Sequence, residues 1–408
     1  MSISGLAGSA QARPHWDDVS VSARSEDPIK VLVYADSRIF SGAESLLSEI
    51  VAGLAGEGRF ELSLAVPPEN TELAESLAAA AGPGPRIDVP SQKLPLAAFD
   101  LYDPRRVRAV GKVLSGVGAD VMLLNLPSAE YGSTPLLARV RPRIPVVGLM
   151  HISGLMGDLD FRLGRLREKL ARRAVSRLDT VCLLSEQAKK EYPGQWAPRG
   201  TSLEVIRMPT PQIEVVDRDE ARRSLGLPAD RTVIGMAGRM TIKQKGQDTL
   251  IEAAAVLCAD RPDLHFAIAG DGQDRERVER LIGERGLRDR FTLLGQVSDM
   301  PGFLSAIDLI AIPSRFEGLP LIALEALAAG VPGVASSVDG ICDVWPAEWR
   351  VEAGDAAGLA DRLGRLLDAG ASTQQDLVAS GRSTMKQRTS SRASAGVAEC
   401  LARTAGRD

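Results

Sequence analysis

Apolar segments of four to six residues alternate with longer amphipathic or polar segments along the first half of the chain. The apolar segments predict buried strands at 30–35, 62–66, 121–124, 146–149 and 180–184. A helix is expected over 43–54, directly after the first strand. Buried strands that alternate with helical or loop segments are typical of a parallel sheet covered by helices.

The alternation begins again after a proline-rich, polar stretch at 208–217. Strands are predicted at 232–237, 265–269, 291–294 and 309–312, with helices at 249–259, 274–285 and 321–329. Because 408 residues exceed what a single core usually contains, two domains are expected. The pattern therefore predicts an α/β protein with two Rossmann-like doubly wound domains, 29–212 and 213–380, facing each other across a cleft.

The two ends of the chain lack this alternation. Residues 1–28 are small, polar and partly acidic, and they predict a disordered leader. Within 381–408 only residues 393–402 have a helical pattern. This last segment is interpreted as a tail, with a helix that returns to the first domain as one alternative.

Composition and charge exclude several classes of protein. The net charge of -4 gives no reason to expect a nucleic acid as partner. The four cysteines are scattered without a Cys-x-x-Cys pair, which argues against a zinc site or a disulfide framework and favours a reducing cytoplasm. No apolar run approaches the roughly 20 residues that span a bilayer. A cytoplasmic protein is therefore expected.

A basic loop follows the first strand of the second domain. It contains Arg239, Lys243 and Lys245, with a glycine at each end. Cations at the carboxyl edge of a parallel sheet can bind an anion, with arginine as a fork for phosphate oxygens and lysine as a point charge. A solvated surface loop is the alternative, because most charge runs are exposed.

Two glutamates in an apolar context favour the binding site over the solvated loop. Glu317 follows a buried strand, and Glu325 lies in an alanine-rich helix that begins near Pro320. A carboxylate in such an apolar helix usually needs a partner. Proline suits the first helical turn, and the free amides of Leu321 and Ile322 can point at a phosphate.

Two residues of the first domain are candidates at strand ends. Gly42 follows Ser41 between the first strand and the first helix, where a glycine lets the backbone approach a ligand. A plain helix start with Ser41 as cap is equally consistent. His151 follows the apolar run 145–150 and should emerge at a strand's carboxyl end. A satisfied structural histidine is the alternative there.

Together these residues resemble the retaining glycosyltransferases of family 4, which have the GT-B fold. The resemblance covers roughly 29–365 and is carried, in order, by Gly42, His151, Arg239, Lys245, Glu317 and Glu325. It is strong in the second domain and loose in the first. Three departures accompany it: a single glycine at Ser41-Gly42, one extra residue between Arg239 and Lys245 that leaves Lys243 as a rival clamp, and Pro320 in place of a glycine.

The resemblance implies a role for each residue. Arg239 and Lys245 would clamp the diphosphate of a sugar nucleotide, and Gly42 would offer an amide to its distal phosphate. Glu325 would bind the ribose hydroxyls, and backbone around Val297 would meet the base. Both residues expected to be catalytic would lie near the transferred sugar: Glu317 at its hydroxyls, and His151 at the sugar and the acceptor.

The implied activity is retaining transfer of a hexosyl-type sugar from a nucleoside-diphosphate sugar to a hydroxyl acceptor. Cations and helix-end amides would stabilise the leaving diphosphate, and a phosphate oxygen would take the acceptor proton during front-face attack. Glu317 is not expected to be a covalent nucleophile. A catalytically silent sugar-nucleotide-binding or scaffold protein of the same fold is the alternative.

Two further sequence features are weaker signals, and each has more than one interpretation. Asp158-Leu-Asp160 has the Asp-x-Asp form of some metal-dependent transferases, but such triplets are common by chance, and no obligatory metal or cofactor is expected. Residues 161–178 carry seven basic residues around an apolar stripe. An amphipathic helix packed on the first sheet is favoured there over peripheral contact with anionic lipid.

Overall fold

The computed structural model describes residues 27–91, 102–138, 143–152, 164–195 and 200–407. The predicted leader at 1–28 therefore lies almost wholly outside the described residues. Asp158 and Asp160 also lie outside them, as does the start of the basic segment 161–178.

The first sheet has seven parallel strands in the order β3-β2-β1-β4-β5-β6-β7. Its strands are β1 Ile29–Tyr34, β2 Phe60–Val66, β3 Arg86–Asp88, β4 Val121–Ser128, β5 Val146–Ile152, β6 Thr180–Leu183 and β7 Ser202–Val205. Six of the eight residues of β4 run buried without a break, as expected for a strand covered by helices on both faces.

The described helices of the first half flank this sheet. They are α1 Gly42–Gly56, α2 Thr71–Ala81, α3 Pro104–Ser115, α4 Thr134–Leu137, α5 Gly164–Val175 and α6 Glu186–Gln195. Local sequence sets several of their starts. The Asn70 side chain accepts a hydrogen bond from the amide of Leu73, and Asp103 caps α3 directly before Pro104.

The second sheet has six parallel strands in the order β10-β9-β8-β11-β12-β13. They are β8 Thr232–Ala237, β9 Leu264–Ala269, β10 Phe291–Gly295, β11 Leu309–Ile312, β12 Gly333–Ser336 and β13 Arg350–Val351. In both sheets the chain order reverses beside the first strand of the unit, which is the doubly wound arrangement. The predicted fold class is confirmed.

The helices of the second half surround this sheet or follow it. They are α7 Arg218–Leu225, α8 Ile242–Lys245, α9 Gln247–Leu257, α10 Arg275–Glu284, α11 Met300–Ala306, α12 Leu321–Ala329, α13 Ala356–Asp368, α14 Ala371–Met385 and α15 Ser390–Thr404. Short 3₁₀ helices lie at Arg288–Arg290, Asp339–Asp343 and Ala347–Trp349.

The last helix, α15, contacts the first sheet. The Thr404 Oγ1 lies 2.9 Å from Thr180 Oγ1 in β6, and Arg403 pairs with Glu204 in β7 at 2.7 Å. The chain therefore crosses between its two halves twice. The domain boundaries placed at 212 and 380 stay predictions.

Candidate functional site

A cavity of about 610 Å³ lies between the two halves of the molecule. Its walls come mainly from the last residues of strands β4 and β5 of the first sheet and β8 of the second, and from the segments that follow these strands, β1 and β11. In doubly wound folds ligands bind at the carboxyl ends of the strands, where the chain order reverses. The cavity therefore occupies the position that the topology favours for a ligand.

The structure brings most of the predicted site residues together in this cavity. Eight of them line it: Gly42, His151, Arg239, Lys245, Glu317, Leu321, Ile322 and Glu325. Val297 does not belong to the lining; it is half-buried and packs against the core. The rival cation, Lys243, is exposed and also lies outside the lining.

Lys245 and Glu317 form an ion pair in the wall of the second half. The Lys245 Nζ donates to Glu317 Oε1 at 2.5 Å, and Ser314 Oγ donates to the same oxygen at 2.8 Å. The two side chains are 16% and 6% exposed. Gly246 permits this geometry, because a Cβ there would lie 2.1 Å from the carbonyl oxygen of Pro313. Its φ of +72° also favours glycine.

A bidentate ion pair holds the glutamate loop against helix α9. The Arg315 guanidinium donates to both carboxylate oxygens of Asp248, at 2.8 and 2.9 Å. The Arg315 amide also donates to the carbonyl of Gln244 at 2.7 Å. These contacts fix the loop that carries Glu317 to the turn that carries Lys245. Sequence reasoning missed both Arg315 and Asp248.

Asp339 supports the backbone of the same loop from the other side. Its Oδ2 accepts a hydrogen bond from the Glu317 amide at 2.7 Å. Burial raises the pKa of Asp339 to about 7, and the negative charges of Glu191 and Glu317 act in the same direction. Asp339 also has a φ of +36°, which is uncommon for a residue with a side chain. No pattern in the sequence marks it.

Glu325 faces the cavity from helix α12. Burial raises the pKa of its carboxyl group above the usual value. Neither a hydrogen bond nor an ion pair joins it to any residue in the described ranges. A half-buried carboxylate that lacks a protein donor is suited to accept hydrogen bonds from a ligand.

The first-half wall centres on a buried histidine. The Nε2 of His151 lies 2.8 Å from Asn125 Oδ1, and Asn125 Nδ2 donates to Glu44 Oε1 at 3.4 Å. Ser41 donates its hydroxyl to Glu44 Oε2 at 2.6 Å. Burial lowers the pKa of His151 to about 3, so the imidazole is neutral near pH 7. Asn125 and Glu44 were also missed by sequence reasoning.

The two walls touch at two glycines. A Cβ on Gly318 would lie 1.7 Å from the carbonyl oxygen of His151, and a Cβ on Gly42 would lie 3.0 Å from Leu321 Cδ1. The first contact joins two backbones, so a side chain cannot relieve it. The distance between the two halves at the cavity is therefore set by backbone packing.

Within the described ranges, His, Cys, Asp and Glu side chains form no group of three that could hold a metal ion. None of the helices in that part of the chain combines the length and hydropathy of a membrane span. In the basic segment, Leu166 is exposed and Arg172 pairs with Glu168 at 2.8 Å.

Comparison with known proteins identifies the chain's relatives. The family model described as glycosyl transferase 4-like domain matches residues 41–209, and the model described as glycosyl transferases group 1 matches residues 217–384. The alpha-D-kanosaminyltransferase of Streptomyces kanamyceticus is 36% identical over 210 residues, which are 48% of this chain and 54% of that relative. Across the first three curated relatives, the chain spans 46% to 60% of their length.

Solved structures share the fold over nearly the whole chain. Sucrose-phosphate synthase from Thermosynechococcus elongatus superposes with a TM-score of 0.73 at 21% identity, covering 92% of this chain and 98% of that one. HepE of Anabaena, solved in complex with UDP-glucose, superposes with a TM-score of 0.67 at 21% identity, covering 92% and 100%.

Two facing doubly wound domains with a cavity between them define the GT-B class of α/β proteins. Two matching family models cover most of the chain between them, and the chain belongs to the glycosyltransferases of this fold.

Proposed function

We propose that this chain is a retaining glycosyltransferase that moves a hexosyl-type sugar from a nucleoside-diphosphate sugar to a hydroxyl acceptor. One observation carries the proposal: a single cavity collects cations, helix-end amides and carboxylates from both halves of the molecule. This set matches the chemistry of a sugar nucleotide, which has an anionic diphosphate between two groups rich in hydroxyls.

The cations and amides would bind the diphosphate. Arg239 is exposed in the cavity wall and can turn its guanidinium toward phosphate oxygens. Lys245 would be shared between Glu317 and a phosphate. Leu321 and Ile322 begin helix α12, where free amides and the helix dipole favour an anion. The backbone of Gly42 approaches from the opposite wall.

The carboxylates would bind the hydroxyl-rich ends. No residue in the described ranges donates to the carboxylate oxygens of Glu325, which can accept from two neighbouring ribose hydroxyls. Glu317 is oriented by Lys245 and Ser314 and would bind hydroxyls of the transferred sugar. The base would extend beyond the cavity toward backbone around Val297.

Bond breakage would develop negative charge on the diphosphate and positive charge on the sugar ring. Preorganised cations and amides stabilise the first, and the Glu317 carboxylate stabilises the second. Attack from the face of the leaving group, with a phosphate oxygen taking the acceptor proton, would retain the anomeric configuration. Lys245 and Ser314 hold Oε1 of Glu317, and we assign this carboxylate an electrostatic role and not that of a covalent nucleophile.

Calorimetry with UDP, GDP, ADP and TDP and their sugars tests donor binding. UDP-glucose is the first donor to try, since the Anabaena relative was solved with it. Arg239→Ala and Lys245→Ala should each weaken binding by roughly tenfold to a hundredfold, as expected for lost charge-assisted hydrogen bonds. Lys243→Ala is the matched control, because Lys243 lies outside the cavity lining. A large loss with Lys243→Ala and none with Lys245→Ala would show that Lys243, and not Lys245, binds the diphosphate.

Turnover separates an enzyme from a silent binding protein. Release of nucleotide from a bound donor, by slow hydrolysis or by transfer to an added acceptor, is expected in the wild type. Glu317→Gln should reduce this release more than it weakens binding of the bare nucleotide. Tight donor binding without nucleotide release in the presence of a broad acceptor panel would favour the scaffold alternative.

A further inference from the structure

A buried chain of hydrogen bonds runs from the start of helix α1 to His151. Ser41 donates to Glu44, Asn125 donates to Glu44, and Asn125 Oδ1 meets His151 Nε2. Glu44 is 0% exposed and Asn125 is 1% exposed. Of these residues, Ser41, Glu44 and His151 line the cavity, whereas Asn125 lies behind them.

The direction of each bond in this chain follows from elementary donor and acceptor rules. An ionised Glu44 carboxylate only accepts, so the Asn125 atom that faces it must be the Nδ2 amide. The opposite atom, Oδ1, then faces His151 and also only accepts. His151 must therefore carry its proton on Nε2, which leaves Nδ1 as a lone-pair acceptor. No hydrogen bond joins Nδ1 to a residue in the described ranges.

We propose that Glu44 and Asn125 are positioning residues that hold His151 as a neutral ring protonated on Nε2 and present Nδ1 to the ligand as a hydrogen-bond acceptor. The proposal rests on the proposed function, since it assigns the group of the ligand that donates a hydrogen bond to Nδ1. That group is a hydroxyl of the transferred sugar or of the acceptor. An imidazolium, by contrast, would repel the positive charge that develops on the sugar ring.

The burial of Glu44 fits a positioning role better than a helix-capping role. Ser41 is the N-cap residue of α1, but its side chain makes no capping hydrogen bond and instead donates to Glu44. Burial raises the pKa of Glu44 above its usual value, whereas the hydrogen bond from Ser41 lowers it and supports the carboxylate form. A surface glutamate in the first turn would benefit from the helix dipole without this desolvation.

The protonation state of His151 can be observed directly. The chain contains three histidines, His15, His151 and His265, so a protein labelled with ¹⁵N-histidine gives few ring signals. His151→Gln and His15→Gln variants assign them. In the wild type near pH 7, the Nδ1 of His151 should have the shift of an unprotonated nitrogen and Nε2 that of a protonated one. A protonated Nδ1 in the wild type overturns the proposal, whatever the activity.

A second experiment exchanges the carboxylate of Glu44 and the amide of Asn125. In the double variant Glu44→Gln/Asn125→Asp, the carboxylate lies beside the ring and an amide replaces Glu44. A neighbouring carboxylate raises the pKa of a histidine by about 1–3 units, so in a titration followed by the ring ¹⁵N shifts Nδ1 should take up its proton at a higher pH than in the wild type, where the pKa is about 3. At a pH between the wild-type and the raised pKa we expect kcat to fall by roughly tenfold or more relative to wild type, with the Kd for UDP changed by less than about threefold, since UDP lacks the transferred sugar.

A merely structural role predicts a different result. It predicts a lower melting temperature with unchanged ring signals and a kcat loss that stabilising additives restore. An unchanged pH titration of the ring signals in the folded double variant would overturn the proposal. If wild-type ring signals are as expected but no donor yields nucleotide release, the proposed function fails while the positioning of His151 stands.

Discussion

The carboxyl group of Asp339 supports the Glu317 amide while its own backbone has a left-handed φ of +36°. Aspartate tolerates this region better than most residues, because its short side chain can hydrogen-bond locally. A strained residue that supports the backbone of a candidate catalytic group indicates a constraint on the loop. The protonation state of the Asp339 carboxyl group is therefore linked to the position of Glu317.

Asp339→Asn should change how stability depends on pH. The folded pKa of about 7 lies above the ordinary value of 3.8, so the group favours the folded state at low pH. This stability is lost as pH rises from about 4 through 7. Asparagine keeps an acceptor for the Glu317 amide but does not titrate. Relative to wild type, the variant should gain about 1–2 kcal/mol between pH 4.5 and 8. Urea unfolding at both pH values measures this, and parallel pH profiles would contradict it.

Sequence reasoning at this scale identified residues that line the cavity and missed those behind them. Arg239, Lys245 and Glu325 were marked by charge in an apolar or glycine-rich context, which is a local signal. Asn125 and Asp339 act through partners that are 26 and 22 positions away. Such partnerships depend on the folded chain, so one sequence gives no pattern for them.

Among the elements, apolar runs predicted most central strands and the edge strand β10, but not the edge strands β3, β7 and β13. Strands β3 and β7 lie at the two edges of the first sheet and have no fully buried residue. The two-residue β13 is also an edge strand, and β12 consists of small residues. A strand with one neighbour and a solvated face lacks the apolar run that marks a central parallel strand.

Helix α14 shows how tertiary contacts replace a local signal. Its sequence is polar, and no helix was expected between residues 329 and 393, but Arg382 donates to the carbonyls of Leu327 and Ala328 at the end of α12. Gly381 packs against Leu327, where a Cβ would lie 2.4 Å from Leu327 Cδ2. Helix α12, which carries Glu325, is therefore capped by helix α14, and the sequence of α14 does not itself predict a helix.

Arg315→Gln should separate the Glu317 loop from the turn that carries Lys245. The substitution removes the bidentate pair with Asp248 and the hydrogen bond to the carbonyl of Ile242. We expect UDP affinity to fall about tenfold, in line with lost charge-assisted bonds. Arg261→Gln is the matched control, since Arg261 makes a bidentate pair with Asp368 away from the cavity. Equal effects of the two variants on UDP affinity, measured by calorimetry, would refute the role of Arg315.

At the scale of the whole molecule, alternation of strands and helices predicted two doubly wound units and a cleft, and the observed fold agrees. The sequence did not reveal how closely the two units approach. That distance is set at Gly318, whose Cα lies against the backbone of His151. This close contact brings Glu317, the residue before Gly318, to the place where the two cavity walls meet beside His151. A glycine in a loop has many explanations, and only the fold shows which one applies.

Gly318→Ala should therefore impair turnover without unfolding either half. The added Cβ would lie 1.7 Å from the His151 carbonyl oxygen, so the two walls must separate by an ångström or more. A misplacement of about 1 Å can reduce turnover roughly a hundredfold, whereas UDP affinity should change much less, because most of the proposed phosphate and ribose contacts lie in one half. Gly364→Ala is the matched control, since its Cβ would make an ordinary 3.6 Å contact with Leu257. Wild-type kcat in Gly318→Ala would show that the proposed catalytic geometry does not require this close approach.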